Sequence, residues 1–177
     1  AAIVLPGQPL GTFYVAKYIG YDEATKRTQY EKPNGDIVTQ DQISAPDDYQ
    51  IMGHALPKFT YGWNNNLRYK SWDLNIFFRG MYGNQVFNAT RADLSRLQQA
   101  NVTNISKDAV ADGIYETPVI ASSRFIEDAS FLRLDNATLG YKFNLNDKKY
   151  FKQARLYMTG QNLFTITDYT GVDPEVS

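Results

Sequence analysis

The stretch FTYGWNNNLRYKSWDLNIFFRGMYG, residues 59–83, decides the fold. Read with a period of two, one side of its first arm carries large apolar residues, with Asn65 as the only polar exception: Phe59, Tyr61, Trp63, Leu67 and Tyr69. The other side carries Thr60, Gly62, Asn64, Asn66, Arg68 and Lys70. Alternation of this kind predicts a β-strand with one apolar and one polar face.

The alternation resumes after a predicted two-residue turn at Lys70 and Ser71. One side of the second arm is uncharged and mostly apolar: Trp72, Leu74, Ile76, Phe78, Gly80 and Tyr82. Its other side carries Asp73, Asn75, Phe77, Arg79 and Met81. The segment therefore predicts an antiparallel hairpin in which every charge falls on one face.

The composition excludes several classes of protein. The chain has 177 residues and no cysteine, which excludes a disulfide framework and a thiolate metal site. Its 18 Lys and Arg residues balance 19 Asp and Glu residues without a clustered run, so we expect no nucleic-acid partner. Aromatic residues make up 14%, which is heavy for a soluble domain and usual for the wall of a membrane β-barrel. The opening AAIVLPGQPLG lacks an initiator methionine, so we expect a piece of a longer protein.

Strand character recurs on both sides of the hairpin. We expect strands within residues 11–22, in a short stretch up to Glu31, in residues 130–145 with a bulge near Asn136, and from Ala154 to about Thr165. Residues 42–56 show no clear period and are predicted to be a loop. Residues 84–123 are predicted to be a long irregular loop with one short helix, in which Thr90 and Asp93 resemble a capping box. The prediction is four long strands plus fragments.

The hairpin is long enough to cross a bilayer. A strand of about twelve residues tilted by about 40° spans roughly 30 Å, which exceeds the apolar band of about 25 Å in membrane barrels. The connection at Lys70 and Ser71 is short and the next one is long, as in bacterial barrels with short periplasmic turns and long extracellular loops. A soluble β-sandwich has the same alternation and remains an alternative.

Three segments resemble a known family: GHALPKFTYGWNNNLRYKSWDLNIFFRGMYGNQVFN, SSRFIEDASFLRLDNATLGYKF and RLYMTGQNLFTITDYTGVDPE. They are similar to the C-terminal barrel segment of SusC-like (RagA-like) TonB-dependent outer-membrane transporters. The resemblance implies an all-β fold, an antiparallel transmembrane β-barrel that is partial here, with about four to six strands of a barrel of about 22 and long extracellular loops. Residues 1–177 would form its C-terminal part, without the plug domain and the final strand.

The resemblance also implies a function. Members import oligosaccharides or peptides across the outer membrane of Gram-negative bacteria, with a SusD-like surface lipoprotein as lid and with TonB acting on the plug domain. No cofactor, metal or catalytic residue is implied, and His54 has no nucleophile motif around it. An alternative of another class is a soluble all-β carbohydrate-binding module that uses Trp63 and Trp72 as a sugar platform. A glycoside hydrolase would need two carboxylates about 5 to 10 Å apart, and no spacing in the chain demands that.

The expected roles follow from the two faces. The lipid-facing residues are Phe59, Tyr61, Trp63, Leu67, Tyr69, Trp72, Leu74, Ile76 and Phe78. The lumen-facing residues, which line the substrate path or contact the plug and the wall, are Asn64, Asn66, Arg68, Lys70, Asp73, Asn75 and Arg79. Candidates for contact with cargo or the lid are Tyr82, Asn84, Gln85 and Tyr115. Asn34, Asp36 and Asp41 resemble part of a calcium loop, but Pro33 and Ile37 interrupt the pattern and a plain turn is expected.

Overall fold

The computed structural model describes residues 2–114, 120–145 and 152–175. These residues form two compact units. The sheet unit comprises residues 57–83 and 130–168, and the loop unit comprises residues 1–56, 84–129 and 169–177. No helix in the described ranges is long and apolar enough to cross a membrane.

The described elements are mostly strands, as predicted. The strands are β1 (Ala2–Ile3), β2 (Thr12–Val15), β3 (Lys17–Tyr21), β4 (Thr28–Glu31), β5 (Ile37–Thr39), β6 (Gln50–His54), β7 (Phe59–Tyr69), β8 (Trp72–Tyr82), β9 (Gln85–Phe87), β10 (Ile126–Asp128), β11 (Phe131–Asn144) and β12 (Gln153–Thr167). The α-helices are α1 (Ala89–Leu94) and α2 (Lys107–Asp112). Single 3₁₀ turns occur at Gln40–Gln42, Leu97–Gln99 and Ser123–Phe125.

The sheet unit is one antiparallel sheet with the strand order β12-β11-β8-β7. Phe59 pairs with Tyr82 and Tyr69 pairs with Trp72, so the predicted hairpin is confirmed in register over its full length. Lys70 takes a left-handed conformation at φ 53°, which closes the two-residue turn. The sheet is open at β7 and β12, so it is a partial wall rather than a closed barrel.

A bulge interrupts β11 where the sequence predicts one. The register of β11 shifts between Leu134 and Asn136 against both neighbouring strands. Asn162 in β12 has a positive φ of 49° beside this irregularity. The extra residue moves Leu134 and Ala137 onto the same face, which explains why the apolar parity changes along β11.

The loop unit contains a three-stranded sheet of β1, β2 and β6, a second of β3, β4 and β5, and a β9-β10 pair. Its core is small and includes the fully buried side chains of Val15 and Phe125, with Phe13 and Tyr30 close to fully buried. The ring of Tyr30 meets Tyr18 edge-on at 5.9 Å. These contacts hold together segments that are far apart in the sequence.

The structure corrects three predictions for this unit. Residues 42–56 are not all loop, because β6 pairs with β2 and its left-handed Gly53 disturbs the alternation. Residues 11–22 form two strands, which separate at the buried Ala16. Helix α1 is capped by Asn88, whose side chain accepts from the backbone of Arg91, and the capping box predicted at Thr90 is wrong.

The prediction of a long irregular connection over residues 84–123 is also wrong in part. Besides α1, this segment contains β9 and helix α2. Ser106 caps α2 by accepting from the backbone N–H of Ala109 at 3.1 Å. The buried Ala109 and Ile114 show that this segment contributes to the core of the loop unit.

Candidate functional site

The cross-strand register gathers most of the apolar side chains of the four strands on one side of the sheet unit. We call this side the apolar face; it comprises Phe59, Tyr61, Trp63, Asn65, Leu67, Tyr69, Trp72, Leu74, Ile76, Phe78, Gly80, Tyr82, Leu132, Leu134, Ala137, Leu139, Tyr141, Phe143, Ala154, Leu156, Met158, Gly160, Phe164 and Ile166. All nine residues predicted to face lipid lie on it. Asn65 is its only polar amide, between Trp63 and Leu67.

The apolar face is open. Trp63 is 59% exposed, and Leu156 and Met158 on the outer strand are 70% and 75% exposed. A soluble sandwich would bury these side chains beneath a second sheet, and no described residue forms such a layer. A contiguous apolar surface of this extent indicates an apolar environment such as a membrane.

Aromatic side chains concentrate at both ends of the apolar face. At the end far from the short turn, the rings of Phe59 and Tyr82 stack with centroids 5.2 Å apart. At the turn end, Tyr141 meets Trp72 at 4.8 Å and Phe143 at 4.7 Å. Two aromatic belts flanking an aliphatic middle are typical of barrel strands that span a bilayer.

Asn65 provides a test of the environment of the apolar face. We expect Asn65→Leu to raise the free energy of unfolding of the full receptor by about 1 to 3 kcal/mol, because an amide surrounded by hydrocarbon loses its hydration. The check is urea unfolding in phospholipid vesicles, with Asn66→Leu on the opposite face as the control. An increase for Asn66→Leu that matches the increase for Asn65→Leu contradicts the assignment of the faces.

Every charged residue within the four strands lies on the opposite side, which we call the polar face. The charged residues are Arg68, Asp73, Arg79, Arg133, Lys142 and Arg155, together with Asp135 in the bulge. Six of the seven residues predicted to face the lumen lie on this face: Asn64, Asn66, Arg68, Asp73, Asn75 and Arg79. The separation of charge from apolar surface is therefore complete within the described strands.

The polar side chains bind one another across the strands. Asn75 donates to Asn64 at 2.9 Å and to Asn66 at 2.7 Å. Arg79 Nε donates to Asp135 Oδ1 at 2.9 Å, which shows that the bulge aims this carboxylate at the polar face. Such mutual pairing supports a role in the wall over direct contact with cargo.

On the polar face near the turn, a bidentate ion pair joins β8 to the outer strand β12 across β11. Arg155 Nε lies 3.1 Å from Asp73 Oδ1, and its Nη2 donates to Asp73 Oδ2. The pair crosses over Gly140, where an added Cβ would come within 2.6 Å of Arg155 and 2.8 Å of Asp73. Glycine at this position therefore leaves room for the fork-like pairing of guanidinium and carboxylate.

Lys70 differs from its predicted placement on the lumen side. It occupies the hairpin turn, and its Nζ lies 5.3 Å from the ring centroid of Tyr69. Tyr69 belongs to the apolar face, because it pairs with Trp72. The Lys70 side chain thus lies at the edge of the apolar face and not on the polar face.

The predicted contacts with cargo or lid have other surroundings. Tyr82 lies on the apolar face against Phe59, Asn84 is only 5% exposed, and the Oε1 of Gln85 accepts from the backbone N–H of His54 at 3.2 Å. Tyr115 lies outside the described residues. The positions of Tyr82, Asn84 and Gln85 favour structural roles.

The segment that resembles a calcium loop is a turn with its own internal bonds. Asn34 donates to Asp36 at 2.7 Å, while Asp41 accepts from Arg27 at 2.8 Å and from Thr39 at 2.6 Å. Among the described residues, no three His, Asp or Glu side chains are grouped so that they would hold a metal ion.

A carboxylate clasp in the loop unit was not found from the sequence. Glu127 accepts from the backbone N–H of Thr170 at 2.9 Å, from its hydroxyl, from Arg91 Nη1 at 3.0 Å and from Asn88 Nδ2 at 3.2 Å. Burial alone would raise the pKa of Glu127, but the hydrogen bonds from Thr170, Arg91 and Asn88 outweigh it and lower the pKa. The clasp ties the segment after β12 to β10 and to the cap of α1.

The clasp should make the segment after β12 sensitive to pH. Because the folded pKa is lowered, its stabilisation is present above the unfolded carboxyl pKa of about 4.3 and is lost as the pH falls through the folded value. We expect hydrogen-exchange protection of the Thr170 amide to decrease in that acidic range. Glu127→Gln should lower the protection at neutral pH and remove the pH dependence, whereas Asp108→Asn in the same unit should leave both unchanged. A pH dependence that persists in Glu127→Gln contradicts this assignment.

Comparison with known proteins agrees with this geometry. No family model matches the chain. The chain is 33% identical over 99% of its length to the TonB-dependent receptor P3 of Formosa agariphila, and 34% identical over 96% to the TonB-dependent receptor SusC of Bacteroides thetaiotaomicron. Its structure is similar to a chain of the RagAB peptide transporter, with a TM-score of 0.77 and 27% identity over 98% of this chain. It spans only 19%, 17% and 22% of these three proteins.

Proposed function

The chain belongs to the SusC-like TonB-dependent receptors as one segment of a longer protein, and from this premise we propose that it forms part of the wall of an outer-membrane nutrient importer. The single observation that carries the proposal is the separation of the sheet unit into an open apolar face and a face that holds every strand charge. A wall between hydrocarbon and a wet interior requires this separation.

The wall works through its two sides. The apolar face meets lipid, because a charge near the bilayer midplane costs about 2 to 4 kcal/mol and none is present there. The polar face borders the lumen, where the Arg79–Asp135 pair joins β8 to β11, the Asp73–Arg155 pair joins β8 to β12, and both limit the number of charges that cargo meets. Import then proceeds by capture and gated passage, without covalent chemistry by this segment.

The orientation follows from the connections. We assign the two-residue turn at Lys70 to the periplasmic side and the long connection over residues 84–123 to the extracellular side, since bacterial barrels have short periplasmic turns and long extracellular loops. The loop unit is therefore the part that meets cargo or a SusD-like lipoprotein. It contains a cavity of about 320 Å³ beside the Glu127 clasp, lined by Arg91, Ser106, Asp108 and Thr170 among others, whose polar groups suit a sugar or peptide.

The cargo is an oligosaccharide or a peptide in this proposal. The similarity to RagAB, a peptide importer, supports a peptide, and the polar cavity of the loop unit fits either class. TonB acts through a plug domain that lies outside these residues. Energy coupling is therefore a property of the whole receptor.

The test uses the native host and a strain that lacks the gene for the whole receptor. We expect the receptor to remain with the outer membrane after a carbonate wash, and the deletion strain to lose growth on oligosaccharides or on peptides as the sole nutrient. A soluble carbohydrate-binding module would be released by the wash and would bind sugar without transport. Recovery of the receptor in the wash contradicts the proposal.

A further inference from the structure

We propose that the turn end of the apolar face binds a phospholipid with a net negative headgroup, such as phosphatidylglycerol. The inference rests on the proposed function, since it requires this face to meet lipid. It adds a specific site and a headgroup class to that general contact. Three features carry it: a groove, the cations beside it and the location of the nearest carboxylate.

The groove is a cavity of about 620 Å³ on the apolar face, within the range of about 300 to 1,000 Å³ typical of small-molecule sites. Its walls include Trp72, Leu139, Tyr141, Phe143, Leu156 and Met158. Tyr141 packs edge-on against both Trp72 and Phe143, so the aromatic wall is held in place by its own contacts. Leu156 and the flexible Met158 on β12 also line the groove and suit the irregular surface of an acyl chain.

Cations stand at the same end of the sheet. Lys70 lies in the turn directly before Trp72, and its ammonium sits over the ring of Tyr69 on the apolar face. Lys152 is exposed and directly precedes β12. A lysine that extends its apolar stem along such a face places its ammonium at the level of lipid headgroups.

The nearest carboxylate in the described strands does not repel an anion bound at the turn end of the apolar face. Asp73 lies on the polar face, where Arg155 engages both of its carboxylate oxygens. Among the described residues, the charge at this border of the apolar face is therefore positive, and its complement is an anionic headgroup rather than a zwitterionic one. An acyl chain in the groove, with its anionic headgroup at the end of the sheet that carries Lys70 and Lys152, satisfies both features at once.

The competing occupant is a neighbouring strand of the whole receptor, because β12 is an edge strand in this chain. Its side chains would fill the groove with protein and leave no selectivity for headgroups. Selectivity for a charged headgroup therefore decides between the two occupants.

The experiment is native mass spectrometry of the full receptor, purified and delipidated in detergent, with equal amounts of phosphatidylglycerol and phosphatidylethanolamine. We expect the wild-type receptor to retain more phosphatidylglycerol than phosphatidylethanolamine. In the double variant Lys70→Gln, Lys152→Gln, the ratio of the two retained lipids should fall by about tenfold. The matched control is Lys58→Gln, which removes a lysine 6.0 Å from the ring of Tyr82 at the opposite end of the sheet unit. Lys58→Gln should keep the preference.

A second variant tests the groove without changing charge. Met158→Trp fills it and should lower the retention of both lipids. Equal retention of the two lipids by the wild-type receptor, or an unchanged preference in the double variant, overturns the inference. A receptor that inserts and imports but shows no preference contradicts this inference alone, whereas a receptor that is absent from the membrane contradicts the proposed function.

Discussion

Ile76→Arg is expected to prevent most of the full receptor from inserting into the outer membrane. Ile76 lies near the middle of β8 on the apolar face, between Asn65 of β7 and Ala137 of β11. An arginine near the bilayer midplane costs about 2 to 4 kcal/mol, which lowers an insertion equilibrium by about 30- to 1,000-fold. The measurement is the amount of heat-modifiable receptor in the outer-membrane fraction.

The matched control is Phe77→Arg, one residue further along the same strand. Phe77 points to the polar face, where it pairs with Asn64 and Asn136, so the same charge meets a wet interior. We expect it to insert at a level close to that of the wild type. Similar insertion of Ile76→Arg and Phe77→Arg would show that the two faces do not differ in environment.

Gly80→Val is expected to have the second large effect. A Cβ at Gly80 overlaps the backbone oxygen of Phe131 and the ring of Tyr61. Tyr61 covers this glycine and donates its hydroxyl hydrogen to Phe131 O at 3.0 Å, so the valine must displace both the ring and the strand. Overpacking of this kind costs about 1 to 3 kcal/mol, and the contact with backbone places the variant at the upper end.

Gly62→Ala supplies the control for Gly80→Val. Gly62 pairs with Arg79 on the polar face, and a Cβ there meets nothing nearer than the Phe77 ring at 3.4 Å. We expect Gly62→Ala to leave the urea midpoint of the full receptor within experimental error and Gly80→Val to lower it clearly. Equal midpoints would mean that Tyr61 does not occupy the space above Gly80 in the receptor.

The sheet unit was predictable because its signals are local. A strict period of two sets which side chains share a face, and the reversal of parity between Leu134 and Ala137 predicts the bulge. The side of the sheet taken by the Lys70 side chain and the capping residue of α1 were harder to assign. Lys70 leans toward Tyr69 through its flexible stem, and Asn88 competes with Thr90 for the same helix start.

The loop unit was not predictable in the same way, because its contacts join distant residues. Glu127 meets Thr170 after 43 residues and Arg91 after 36, and no motif marks either pairing. Strand β6 carries Gly53 at a positive φ beside a register shift, which removes the alternation that would have identified it. Paired or buried polar groups of this kind become visible only when the chain is folded.

The most direct test of the account is a cysteine scan of residues 59–69 in the full receptor, with one nitroxide label at a time and any native cysteines removed. The chain itself carries no cysteine, so no removal is needed within it. Relaxation by lipid-soluble oxygen and by a water-soluble nickel chelate should alternate with a period of two, with oxygen dominant at Trp63 and Leu67 and nickel dominant at Asn64 and Asn66. Equal access of the nickel chelate to both sets would contradict the central claim that one face meets hydrocarbon and the other meets water.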